Sequence, residues 1–187
     1  MSELRSALAG AVFDGIAKVQ EAGLCGMIAF RGDLSATKVK NAVTGVTGVD
    51  MPGQRGCNVG GDNGLAWMSP DELLIMVEHD KAELVLETLA KGLKNQHYMA
   101  ENVSDARAVF TVTGKHAAEV IAKLAPVDMS TFSVGEIRRT RLAQVPAAFW
   151  MHGENAYTVV CFRSAADYMF GILSMAAQEG SEVGVFG

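Results

Sequence analysis

The chain has 187 residues, 49% of them hydrophobic and 20% charged, with a formal net charge of -5. That usage belongs to a folded protein with a real core and excludes a disordered, collagen-like or disulfide-stapled chain. The acidic balance also argues against a nucleic-acid surface, which depends on a concentrated basic face.

Residues 4–19 place Leu4, Ala7, Leu8, Ala11 and Val12 on one helical stripe with Ile16 and Val19 beside it, and predict an N-terminal helix. Glu3, Arg5 and Asp14 interrupt this stretch, so it does not read as a secretion signal. No apolar run approaches the ~20 residues of a membrane span. "LCGMIAF" (24–30) then reads as a buried strand, "RGDLS" as a turn with a helix cap, and Ala36, Val39, Val43 and Val46 as a helix face. Arg31-Gly32-Asp33 spells an adhesion tripeptide, yet turn and cap chemistry account for it.

Gln54 to Gly64 is rich in glycine but fits neither phosphate template. It has no lysine and leads into a strand, whereas a P-loop needs its lysine and an opening helix. The dinucleotide fingerprint needs a helix on a parallel-sheet frame. The expected structure is a mobile connector, ordered by a partner, into a hairpin of "GLAWM" and "LLIMV" with its tip at Ser69-Pro70-Asp71. Asp80 and Glu83 form a capping-box pattern before a helix lined by Ala82, Val85, Leu86, Leu89 and Leu93. "HYMAENV" closes this half as a strand.

The second half repeats the order. "ARAVFTVTG" reads as a strand and "KHAAEVIAKLAP" as a helix. "RLAQVPAAFWM" and "AYTVVCF" read as strands, and "SAADYMFGILSMAAQ" as a helix opened by Ser164 and Asp167. "EVGVF" is expected to end the set as a strand. Pro146, which cannot donate to a ladder, puts its strand at an edge or at a bulge. The basic run Arg138-Arg139-Thr140-Arg141 reads as a solvated strand entry. The expected fold is α+β: two tandem ferredoxin-like βαββαβ units with antiparallel sheets, residues 24–103 and 104–187, after an N-terminal helical segment over 1–23.

Catalytic, cofactor-binding and metal-ligating residues are not signalled. His79, His97, His116 and His152 sit at turns or helix starts without metal-ligand spacing. Cys25, Cys57 and Cys161 are far apart, which suggests neither zinc nor a disulfide set and reads as a cytoplasmic chain. Cys161 reads as core, while Cys57 in the glycine stretch reads as the more exposed and reactive thiol. Nothing matches the Gly-x-Ser-x-Gly nucleophile elbow.

Two stretches carry a resemblance. "LAWMSPDELLIMV" resembles the Trp-x-x-Pro-Asp-Glu hairpin of the gamma subunit of heterotetrameric sarcosine oxidase. Residues 103–178 resemble the same family's succession of Val-Ser-Asp, a strand, an alanine-rich helix, Pro-Val-Asp, an Arg-Thr-Arg strand and Arg-Ser-x-Ala. The resemblance implies a subunit of an enzyme that oxidatively demethylates sarcosine to glycine with hydrogen peroxide and, with tetrahydrofolate, methylenetetrahydrofolate. It implies alpha, beta and delta partner subunits that carry FAD, covalent FMN, NAD, the folate site and zinc, with none of these in this chain. Self-association of the isolated chain is compatible with this reading. It further implies a fold similar to the folate-binding aminomethyltransferase, although Asp33 has no surrounding motif that would make it that enzyme's key aspartate. A free-standing folate-binding aminomethyltransferase-like protein and a small-ligand regulatory module are the alternatives. The subunit reading predicts an exposed apolar patch, with the N-terminal helix and the hairpins around Trp67 and Trp150 as its candidates.

Overall fold

The computed structural model describes residues 5–184. In chain order the elements are β1 (Val12–Asp14), β2 (Lys18–Glu21), β3 (Gly26–Gly32), α1 (Thr37–Thr47), β4 (Cys57–Gly60), β5 (Asn63–Ser69), β6 (Glu72–Val77), α2 (Ala82–Gly92) and β7 (Tyr98–Asn102). They continue with β8 (Arg107–Thr113), α3 (Ala117–Leu124), β9 (Ile137–Leu142), β10 (Val145–Gly153), β11 (Ala156–Phe162) and α4 (Ala166–Ala176). Two compact units result, one continuous over Cys25–Asp105 and one built from Met1–Leu24 with Ala106–Gly187.

The continuous unit has a sheet of order β4-β5-β6-β3-β7 in which every neighbouring pair is antiparallel. Without the outer strand β4 this is the ferredoxin-like order. Strand alternation sends Ile28 and Phe30, Leu73 and Ile75, and Leu65 to one face, where they meet Val39 and Val43 of α1 and Val85 and Leu89 of α2. Phe30 stacks on Tyr98 with ring centroids 5.9 Å apart. Full burial of each such side chain contributes about 1.5–3 kcal/mol. Gly48, at φ 72°, ends α1 by donating its N–H to the Thr44 carbonyl, a left-handed cap that suits glycine.

The discontinuous unit has the order β1-β2-β8-β11-β10-β9, again antiparallel throughout. Phe110, Val112, Phe149, Tyr157 and Val159 face the helix residues Val120, Ile121, Met169 and Leu173. The tandem ferredoxin-like α+β fold is therefore present.

The expected N-terminal helix is not. Its residue 4 lies outside the described residues, and the remainder turns at Ala9 and Gly10, both at positive φ, and pairs as the β1–β2 hairpin. β2 then lies beside β8, which is the place β7 takes beside β3 in the other unit. The helical stripe loses because an open strand edge leaves backbone donors and acceptors unpaired, and β2 satisfies them. The same hairpin fills the place expected for residues 182–186, whose described part forms no strand. Buried Glu21 fixes the turn, accepting from the Ser6 hydroxyl (2.9 Å) and the Gly10 N–H (2.8 Å).

Smaller expectations also change. "RLAQVPAAFWM" is two strands, since Ala143 at φ 49° turns the chain, and the basic run is the edge strand β9 itself. Pro146 lies near the start of an interior strand rather than an edge one, before pairing with β11 begins at Ala147, and that strand does carry a bulge, between Met151 and Gly153. The Asp80–Glu83 and Ser164–Asp167 caps do not form, because short 3-10 turns lead into α2 and α4. Glu83 instead accepts from Asn102 at 2.6 Å. Asp33 closes a turn rather than capping α1.

Candidate functional site

Arg31, Asp33, Asp71 and His97 meet at one end of the continuous unit's sheet. There Arg31 stands in register with Glu72 on one side and Met99 on the other, and Gly32 with Tyr98. Arg31, Gly32, Tyr98 and Met99, with Asp33, Asp71 and His97, line an open groove of about 590 Å³. Arg31 donates to Glu72 at 2.8 Å and lies 3.6 Å from Asp71, so its charge is matched within the groove. Asp33 accepts from the Ser35 hydroxyl (2.6 Å) and N–H (2.9 Å), and Asp71 from the Ser69 hydroxyl (2.6 Å). These hydrogen bonds, from Ser35 and Ser69 first, hold both carboxyls below their ordinary range. Neither is a proton donor at neutral pH, so the pair does not work as a general acid and base.

A second groove, of about 360 Å³, is lined by Leu34, Lys40, Met51, Pro52, Trp67 and Pro70, among others. Trp67 is half-buried, and its backbone N–H donates to the Gly56 carbonyl at 2.9 Å. That bond and the pairing of β4 with β5 order the glycine-rich stretch, which is a hairpin edge rather than the expected connector. Gly61, at φ 62°, makes the turn between the two strands. Cys57 lies opposite Ala66 at 3% exposure, and burial pushes its thiol up to about 12. The expected reactive thiol is therefore a core side chain. Cys161 is also buried and pushed up to about 11 by that burial.

The histidines do not converge. His79 lies 3.6 Å from Asp105, His116 lies 3.7 Å from Glu119, and His152, on strand β10 rather than in a turn, shares a hydrogen bond with the Thr158 hydroxyl at 2.9 Å. Among the described residues no three His, Cys, Asp or Glu side chains form a group able to hold a metal ion. No helix among them is long and apolar enough to cross a membrane. Trp150 is 3% exposed and so is no part of a surface patch. Exposed apolar side chains are instead spread over several elements, with Leu84 on α2 (62%) and two on one helix, Tyr168 and Met175 of α4, at 49% and 66%. Sequence reasoning missed the α4 pair because a helix rich in apolar residues reads first as core.

The family model for the sarcosine oxidase gamma subunit matches residues 31–179. The chain belongs to that family. The gamma subunit of sarcosine oxidase from Corynebacterium sp. (strain U-96) is 32% identical over 123 residues, which are 64% of this chain and 59% of that relative. The chain thus spans less than two thirds of that relative's length in the sequence match. In three dimensions it superposes on a chain of the heterotetrameric sarcosine oxidase from Corynebacterium sp. U-96, solved with pyrrole 2-carboxylate, with a TM-score of 0.84, 26% identity and coverage of 97% and 98% of the two chains. The glycine cleavage system aminomethyltransferase T from Bartonella henselae gives a TM-score of 0.60 at 12% identity, over 83% of this chain and 45% of that one, which shows a shared fold alone. In the hairpin of β5 and β6, Trp67 lines the second groove, Asp71 closes the tip and Glu72 holds Arg31.

Proposed function

We propose that this chain is the gamma subunit of a heterotetrameric sarcosine oxidase and serves its assembly without contributing catalytic groups. The complex so proposed demethylates sarcosine oxidatively to glycine, releasing hydrogen peroxide, and passes the one-carbon unit to tetrahydrofolate when that is present. Alpha, beta and delta subunits are the proposed partners and carry FAD, FMN, NAD, the folate site and zinc. The observation that carries this reading is the end-to-end superposition, 97% of this chain on 98% of a chain from such an oxidase.

The chemistry of the chain supports the non-catalytic part. The groove carboxyls are held below their ordinary range, the buried thiols above theirs, and Arg31 is matched by two acids. A general acid, a thiolate nucleophile or a free anion clamp at the reacting centre needs the reverse of each. Within this reading the chain works in the cytoplasm, in keeping with its three free cysteines.

The test is expression of the chain alone and together with the other three subunits from its host. Alone it is expected to show no flavin absorbance and no sarcosine-dependent peroxide, and together it co-purifies with an active oxidase. Peroxide from the chain alone overturns the non-catalytic reading, and failure to co-purify overturns the subunit reading.

A further inference from the structure

The two units carry the same kind of helix pair on the same kind of sheet, so each serves as a reference for the other's outer surface. In the continuous unit the pair is dressed mainly for water: Lys38, Lys40, Glu83, Glu87 and Lys91 all stand exposed on α1 and α2, and the exposed Leu84 of α2 is set among these charges. In the discontinuous unit the two charges of α3, Glu119 and Lys123, turn onto the segment Ser181 to Gly184. The single charge of α4 is Asp167 in its first turn. Beyond it Tyr168, Gly171 and Met175 stand exposed at i, i+3 and i+7, with Ile172 beside them half-buried against the core, and the stripe carries no charge. Gly171 sharpens the contrast. A glycine inside a helix weakens it, and a side chain at this position would meet nothing of this chain within 4 Å. The fold gains nothing from its smallness, whereas a second surface pressed against the helix would.

We propose that Tyr168, Gly171, Ile172 and Met175 form the seat of a non-identical partner subunit, which receives Tyr168 and Met175 in an uncharged apolar cleft and packs close at Gly171. The inference rests on the subunit reading above and adds to it the face that docks. An unlike chain is the occupant because the structure matched end to end is one chain of a heterotetramer. Permanent assemblies bury apolar faces with aromatic and methionine anchors, while charge-steered encounters need the charges that this stripe lacks.

Co-expression of tagged chain with the other three subunits tests the face. The double variant Tyr168→Lys/Met175→Lys is compared with wild type and with Leu84→Lys, which changes an exposed leucine of α2 (62% exposed). Wild type and Leu84→Lys are expected to recover partners equally, and the double variant at least about tenfold less. A second variant, Gly171→Gln, separates docking from folding. It is expected to raise the melting temperature of the isolated chain by about 2–4 °C while lowering partner recovery, opposite signs that a folding defect cannot produce. A wild-type chain that recovers no partner overturns the subunit reading itself. If wild type recovers partners and the double variant or Gly171→Gln does so equally, the docking face is overturned and the subunit reading stands. An isolated wild-type dimer that the double variant dissolves makes the occupant a second copy and overturns the proposal as well.

Discussion

Glu119 is 3% exposed and spends its carboxylate on backbone rather than on a partner charge alone. It accepts the N–H groups of Val183 and Gly184, while Lys123 lies 3.4 Å away and donates to the carbonyls of Ala176 (3.0 Å) and Ser181 (2.6 Å). The Val183 hydrogen bond, opposed by burial and aided by Lys123, holds the Glu119 carboxyl below its ordinary value near 4.5. A group depressed in the folded state stabilises above its ordinary value and loses that contribution as pH falls through the folded value. Glu119→Gln is therefore expected to cost about 1.5–3 kcal/mol at pH 7 and progressively less as the pH falls below the ordinary carboxyl value, read from urea unfolding at pH 7 and in acid. An equal cost at the two would contradict an ionised clasp. None of this was legible beforehand, because Glu119 reads as the solvated acid of a helix's first turn until the distant segment arrives beside it. Cys57 misleads for a related reason: its glycine neighbours suggest exposure, and only the pairing of β4 with β5 buries it.

Among the elements, helices and most strands follow from spacing. Val85 and Leu89 face the core of their unit and Val120 and Ile121 the core of theirs, as their periodicity requires. The N-terminal hairpin does not follow, because its stripe of apolar residues fits a helix as well as it fits two short strands. Close approach decides it. The Ile16 N–H donates to the Ala177 carbonyl at 2.8 Å, and a Cβ on Gly15 would sit 1.9 Å from that oxygen. Gly15→Ala is expected to destabilise by about 1–3 kcal/mol, as overpacking does, and to free the amides of β2. Hydrogen exchange checks this: protection at Lys18 to Glu21 falls while that of the continuous unit is kept. Uniform loss across the chain would show that the contact is not local.

At the scale of the molecule, one unit is continuous in sequence and the other is closed by its distant ends. Lys18 to Glu21 pair with Phe110 to Thr113, so this sheet gains its β2 neighbour at the cost of closing a long loop. Removing residues 1–24 would leave β8 as an unpaired edge. The truncated chain is expected to aggregate, and light scattering at fixed protein concentration should rise relative to the full chain. A truncation that stays monomeric and melts like the full chain would contradict the closure. The sequence by itself determined the α+β class, the four helices and most of the strands between residues 26 and 176, and the motifs that place the chain in its family. Those features are written in spacing, caps and turns, which act over a few residues. Tertiary structure alone decided that residues 12–21 complete a sheet begun near residue 107, that the glycine-rich stretch is an ordered edge, and that Trp150 is core while Tyr168 and Met175 of α4 stand exposed. Each of these depends on which backbone edge or side-chain face is already occupied, and occupancy belongs to the folded chain as a whole.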